Sequence, residues 1–278
     1  MRARRVVVAV LLCLALFGAS GASLLAQDGG SVAPADIRLE LAAQIGGSIT
    51  CVAAQGQYAY VGQGAKLVVL DVGNPAAPQT VGSVAVDAVL RHVVADGKLV
   101  FATDGKSLRV FNVADPLAPR QVGRLAMEGA GSLAAQGGYA YVISTGEGMS
   151  TVDVRVPSQP REVSFIVDDR AHSVALGSRY VFKLSSEPND LHPRLTLYNL
   201  DDPGQPHQVF SHGATYTTYL WEASDLEAAG DWAFVTTNKT VHGERPSVYA
   251  IDFLDLSRVV PGQRYAFATE QPLRLAAA

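Results

Sequence analysis

Val52-Ala-Ala-Gln-Gly-Gln-Tyr-Ala-Tyr-Val61 returns almost unchanged as Leu133-Ala-Ala-Gln-Gly-Gly-Tyr-Ala-Tyr-Val142, and between them lies Val93-Val-Ala-Asp-Gly-Lys-Leu-Val-Phe-Ala102. Two more divergent copies follow, Val174-Ala-Leu-Gly-Ser-Arg-Tyr-Val-Phe-Lys183 and Leu226-Glu-Ala-Ala-Gly-Asp-Trp-Ala-Phe-Val235. Their turn positions Gly56, Gly97, Gly137, Ser178 and Gly230 are spaced by 41, 40, 41 and 52 residues. A period of this length marks a propeller or a solenoid.

Each unit alternates apolar and polar residues with period two, the pattern of a strand, and no stretch carries a helical stripe. The first unit reads as four strands, Thr50 to Ala54, Tyr58 to Gly62, Leu67 to Val72 and Gln79 to Val84. Asn74-Pro-Ala-Ala-Pro78 separates the last two, and Asp115-Pro-Leu-Ala-Pro119, Val156-Pro-Ser-Gln-Pro160 and Asp202-Pro-Gly-Gln-Pro206 repeat that turn. Proline fixes φ there and ends the preceding strand. Four short antiparallel strands per unit make a blade, so the fold class is all-β, a β-propeller of four-stranded antiparallel blades, five by count. An α-solenoid would need helices, and the period is too long for one coil of a β-helix. Gln44-Ile-Gly-Gly-Ser-Ile49 echoes Gln79-Thr-Val-Gly-Ser-Val84, so the segment Ile37 to Ile49 could close the ring as the outer strand of the last blade. Arg264 to Thr269 competes for that place, and a chain forming part of a larger ring is the other alternative.

The third strands Leu67-Val-Val-Leu-Asp71, Leu108-Arg-Val-Phe-Asn112 and Val248-Tyr-Ala-Ile-Asp252, taken with the Asn-Pro-x-x-Pro turn, resemble those of LVIVD-repeat proteins. The resemblance covers Ser48 to Asp252 and implies an exported bacterial β-propeller. It implies no catalytic motif, because that family is defined by its repeat. The fifth unit departs from the pattern, since Leu254 to Gly262 lacks the paired prolines.

Arg2, Arg4 and Arg5 precede an apolar run from Val6 to Phe17 and then small residues, which reads as a secretory signal over 1–26 with cleavage after Ala26. An uncleaved N-terminal anchor is the alternative, because Val6 to Ala26 is uncharged and long enough to cross a bilayer. Either reading, with the arginines retained inside, places a linker over 27–36 and the propeller domain over 37–278 outside the cytoplasm, secreted, periplasmic or at the cell surface. The chain carries a formal net charge of −4, and removing such a leader leaves the remainder near −7. That balance excludes a nucleic-acid grip built on a basic surface. Of the two cysteines only Cys51 lies beyond the leader, so no intramolecular disulfide can form.

Function is read from columns, the positions that recur once per blade. Cys51, His92, Ser132, Ser173 and Asp225, with Thr50, Arg91, Gly131, His172 and Ser224 before them, begin the innermost strands and should ring the mouth of the central channel. Arg91, His92, His172 and Asp225 are the chemically distinctive members. His92, His172 and Asp225 are the ligands expected if a divalent metal serves a hydrolase there, although no short ligand spacing supports one and no cofactor is predicted. The aromatic column Tyr58, Leu99, Tyr139, Tyr180 and Trp232, with its partners Tyr60, Phe101, Tyr141, Phe182 and Phe234, is expected to pack between blades. Asp71, Asn112, Asp153, Asn199 and Asp252 precede the proline turns and are expected to bond backbone amides.

Departures from the repeat fall at Ser185 to Pro193, Phe210 to Glu222 and Asn238 to Pro246. Turns between second and third strands emerge on the same face as connections between blades, so all three share the rim that carries the channel mouth. They bring Tyr216, Tyr219, Trp221, Glu222, His192, His242 and Arg245, a set suited to a protein or carbohydrate partner of the cell envelope or extracellular space. No membrane contact is expected beyond an N-terminal anchor. Secreted protein is expected to begin near Gln27 and to titrate a single thiol. N-terminal sequencing and thiol titration check this, and an intact Met1 on membrane-bound protein would identify the anchor instead.

Overall fold

The computed structural model describes residues 6–8, 39–41, 48–187, 190–213, 223–229, 232–237, 247–252 and 261–265. Two short strands, β1 (Val6–Val8) and β2 (Leu39–Leu41), pair in parallel as a sheet of their own. The repeats form five four-stranded antiparallel sheets, each with its strands in sequence order. Blade 1 is β3 (Ile49–Gln55), β4 (Tyr58–Gln63), β5 (Lys66–Asp71) and β6 (Gln79–Ala85). Every boundary falls within one residue of its sequence expectation, because Gly56 and the proline turn stop the strands on either side. Blade 2 is β7 (His92–Asp96), β8 (Leu99–Thr103), β9 (Ser107–Asn112) and β10 (Arg120–Ala126). Blade 3 is β11 (Ala130–Gln136), β12 (Tyr139–Ser144), β13 (Gly148–Asp153) and β14 (Arg161–Val167). Blade 4 is β15 (Ala171–Leu176), β16 (Tyr180–Glu187), β17 (Asp190–Asn199) and β18 (His207–Gly213). Blade 5 is β19 (Ala223–Ala229), β20 (Trp232–Thr237), β21 (Ser247–Asp252) and β22 (Pro261–Tyr265).

The first strands β3, β7, β11, β15 and β19 lie side by side around one narrow channel of about 200 Å³, lined by short apolar residues such as Ala53, Ala95, Ala134, Ala175 and Ala228. Small side chains are required there because five strands converge on the axis. The core consists of the seams between blades. Tyr60, Leu67 and Val69 of blade 1 meet Val93, Val100 and Phe111 of blade 2. Phe101 and Val110 meet Leu133, Val142 and Val152 of blade 3, while Tyr141 and Met149 meet Val174, Val181 and Tyr198 of blade 4. Phe182, Leu195 and Leu197 then meet Leu226, Ala228 and Val235 of blade 5. The opposite face of blade 1, with Ala59, Val61 and Leu70, is buried as well, in a cluster made of blade 1's own residues. Tyr60, Phe101, Tyr141 and Phe182 are therefore interblade core, as expected, and of the neighbouring column Tyr180 is buried while Tyr58, Leu99 and Tyr139 are half-buried against the same clusters.

Closure differs from the first sequence alternative. Pro261–Tyr265 supplies the outer strand of blade 5, pairing Val248 with Tyr265 and Ile251 with Pro261, whereas Leu39–Leu41 pairs with Val6–Val8. Of the echo from Gln44 to Ile49 only Ser48 and Ile49 are described, and Ile49 begins β3. Among the described residues, no outer strand is exchanged between the first and last blades.

In every blade the outer strand slips by one residue against the third, at Val81, Val122, Val163, Val209 and between the partners of Tyr249 and Ile251. The bulge twists the outer strand and lets the next blade's proline turn lie on it. A Cβ on Gly82 would sit 2.2 Å from the Pro116 carbonyl oxygen, and one on Gly123 would sit 1.9 Å from that of Pro157. These glycines are contact points between blades. Gly123→Ala should therefore cost about 2–3 kcal/mol in urea denaturation, and Ser83→Ala, on an exposed outer position of blade 1, should cost almost nothing.

Candidate functional site: the rim around the channel mouth

The rim is made by the turns between second and third strands and by the connections from one blade to the next. In blade 4 the expected loop from Ser185 to Pro193 is instead a prolonged hairpin. Pairing continues through Ser185 with Arg194, Ser186 with Pro193 and Glu187 with Asp190. β16 and β17, at 8 and 10 residues, outreach the five- and six-residue second and third strands of the first three blades. A ladder satisfies its own backbone groups, so this segment projects from the rim as a rigid element.

Two buried bases hold connections between blades, one into blade 2 and one into blade 4. Arg109 is 2% exposed, although it stands in the apolar third strand where blades 1 and 4 place Val68 and Thr196. Its Nε donates to Asp104 Oδ2 at 2.7 Å, its Nη1 to Gln121 Oε1 at 3.1 Å and its Nη2 to Asp87 on the connection from blade 1 to blade 2. Asp104 also accepts from the Ser107 hydroxyl and the Lys106 amide, each at 2.8 Å. Burial pushes the Asp104 carboxyl up, and the Lys106 amide, the Ser107 hydroxyl and Arg109 together bring it below the usual carboxylate range. Lys183, also buried, stands where blades 1 to 3 have Val61, Ala102 and Val142, and it donates to Asp168 on the connection from blade 3 to blade 4. Asp168 behaves like Asp104, its burial outweighed by Lys183 and the Arg170 amide.

These carboxylates bind protons less readily in the folded protein than in the unfolded chain. The stability they contribute is present above about pH 4 and is lost as pH falls through their lowered values. Neither base was found from columns, because columns favour recurrence; a charge inside an apolar strand was the available signal.

Of the column expected at the channel mouth, Gly131 and Ser132 join blades. The Val174 amide donates to Ser132 Oγ at 3.0 Å, and Thr103 Oγ1 donates to the Gly131 carbonyl at 2.6 Å. Thr50 Oγ1 donates to the Gly62 carbonyl at 3.2 Å, and Cys51 is half-buried against Gly62, its thiol pushed up by burial. Arg91 is exposed and lies over the backbone of Gly105, where a Cβ would come within 2.7 Å of its Cζ. His92 and His172 are half-buried, and burial keeps His172 neutral by lowering its pKa, an effect that Asp168 opposes. Among the described residues, no three His, Cys, Asp or Glu side chains come together to hold a metal. Asp225 lies in β19, and its side chain lies outside the description, as does that of His192 in β17. Tyr216, Tyr219, Trp221, Glu222, His242 and Arg245 lie outside the described residues.

On the far face, the column before the proline turns behaves as expected. Asp71 Oδ1 accepts from the Gly73 amide at 2.8 Å, Asn112 from Ala114 at 2.9 Å, Asp153 from Arg155 at 3.1 Å and Asn199 from Asp201 at 2.7 Å. Each closes a turn. The buried ion pair is the more consequential arrangement for the rim. Arg109→Met should cost about 3 kcal/mol or more in denaturation, because Asp104 stays buried without its cation, and adding Asp104→Leu should recover much of that loss.

No curated protein matches the chain in sequence. The LVIVD repeat model matches residues 46–86 and 129–168, which are blades 1 and 3 with the residues that lead into them. Among solved structures, a functionally unknown protein from Desulfotomaculum acetoxidans DSM 771 superposes with a TM-score of 0.58 at 12% identity, over 82% of this chain and 74% of its own. Hydrazine synthase of Kuenenia stuttgartiensis gives 0.56 at 13% identity over 73% of this chain, which spans 62% of that chain's length. A chain of a nidogen/laminin complex gives 0.55 at 14%, over 81% and 82% respectively. Identities this low speak for the fold alone. With the repeat model matched at two of the five blades and a propeller as the shared fold, the chain is a β-propeller that carries LVIVD repeats in its first and third blades.

Proposed function

We propose that the protein is an exported binding scaffold that holds a protein or carbohydrate partner on the rim of its fourth and fifth blades. The observation that carries this reading is the contrast between channel and rim. The channel, at about 200 Å³ and lined almost wholly by alanine and small aliphatic residues, is smaller than the roughly 300 Å³ at which ligand pockets begin. The rim of blade 4, by contrast, carries a projecting hairpin above a connection fixed by a buried ion pair. A rigid base with one protruding element favours recognition of a surface, because little conformational entropy is lost on contact.

The sequence of the neighbouring insertion adds the anchors. Tyr216, Tyr219 and Trp221 supply contact area with few rotatable bonds, Glu222 and Arg245 supply charge, and His192 and His242 supply hydrogen-bonding groups. The apolar run at the N-terminus supports export. A pull-down from the native cell envelope tests the reading. Trp221→Ala should weaken the captured complex by about 2 kcal/mol with the fold intact, and Lys98→Ala on the far face should leave it unchanged. Equal loss in both variants would place the site elsewhere.

A further inference from the structure

Blade 3 breaks the repeat three times on the face opposite the rim, and the three departures meet. Arg155 stands where the other turns have Gly73, Ala114 and Asp201; Val156 replaces Asn74, Asp115 and Asp202; and Gly138 replaces Gln57, Lys98 and Arg179. Gly138, at φ +86°, leaves the space that Arg155 fills. A Cβ there would lie 2.6 Å from Arg155 Cγ. The guanidinium of Arg155 continues over the ring of Tyr139, 5.1 Å from its centroid.

Asp153 then holds two arginines. Arg155 donates from Nε to Oδ1 at 3.0 Å and from Nη2 to Oδ2 at 2.7 Å, and Arg161 Nη2 donates to Oδ2 at 3.1 Å. Asp153 is 7% exposed, against 58% for Arg155 and 70% for Arg161. Among the described residues, the Nη1 of each guanidinium has no protein partner. Two cations share one buried anion, so the site keeps a net positive charge on a chain that is acidic as a whole. Val156, 56% exposed, and Gln159 complete an open depression of about 480 Å³ with Asp153 and the arginines.

We propose that this depression binds an organic carboxylate, its oxygens on the outward N–H groups of Arg155 and Arg161 and its apolar body on Val156. A guanidinium presents paired donors in the plane that a carboxylate needs, and here the shared Asp153 and the Tyr139 ring fix that plane in advance. The apolar neighbour is what favours an organic acid over an inorganic oxyanion.

The test uses the full secreted chain with its arginines labelled for Nε–Hε NMR, titrated with sodium phenylacetate, sodium sulfate and sodium chloride at constant ionic strength. Phenylacetate should shift the Arg155 and Arg161 signals along a saturating curve, with sulfate weaker and chloride without effect. Arg155→Gln and Arg161→Gln should each weaken phenylacetate about tenfold or more, the loss expected for a charge-assisted contact. Val156→Ser should weaken phenylacetate and leave sulfate unchanged. Shifts that grow linearly and alike with all three salts would overturn the proposal, as would undiminished saturation in the Arg155→Gln, Arg161→Gln double variant. Tighter sulfate than phenylacetate would overturn the assignment of an organic ligand. Unchanged thermal unfolding of the single variants would separate lost binding from lost fold.

Discussion

Everything in this molecule depends on one sheet face packing against the next around a ring. A single four-stranded sheet has two apolar faces and cannot bury both alone, so each blade is stable only between two neighbours. The buried aromatic column, Tyr60, Phe101, Tyr141 and Phe182, marks where that constraint acts, with one large ring per seam. Gly82 and Gly123 show its other side, since there the proline turn of the following blade comes so close that even a methyl group would collide. The bulge that repeats in each outer strand provides the twist that makes the approach geometrically available.

Blade 5 completes itself with a strand of its own, which has a mechanical consequence. When an outer strand is exchanged between first and last blades, backbone hydrogen bonds tie the two together. Here blade 5 takes its outer strand from Pro261–Tyr265, so among the described residues no exchanged strand makes that tie, and the outward face of blade 1, with Ala59, Val61 and Leu70, is packed by blade 1's own residues.

Polar residues inside the blades follow a second logic. Arg109 and Lys183 enter positions that the repeat otherwise gives to small or apolar side chains, and each reaches a carboxylate on a connection between blades. A buried ion pair contributes little net stability, but it fixes the position of what it joins, because any other arrangement leaves a charge without its partner. The connections into blades 2 and 4 are thus fixed in place, the second of them next to the extended hairpin. On the far face, Asp153 does similar work for Arg155 and Arg161, which hold its carboxyl well below the usual range.

The repeat, the strands, the proline turns and the inward aromatic column were legible in the sequence because all of them follow from local rules. Period-two alternation sets the strand faces, proline ends a strand, and an Asx side chain before the turn bonds an amide two residues on. The rim was legible as a place, from the parity of turns and connections, but not as an arrangement. The segment Ser185 to Pro193 reads as an insertion, and only the register of β16 on β17 makes it a hairpin, since pairing across a turn depends on partners the alternation does not name. The roles of Gly123, Arg109 and Gly138 were likewise hidden. Gly123 meets a carbonyl of the next blade and Arg109 a carboxylate on the preceding connection, while Gly138 meets an arginine one hairpin farther along its own blade. Such meetings are set by how sheets twist and stack, a property of the assembled blades that no single repeat contains.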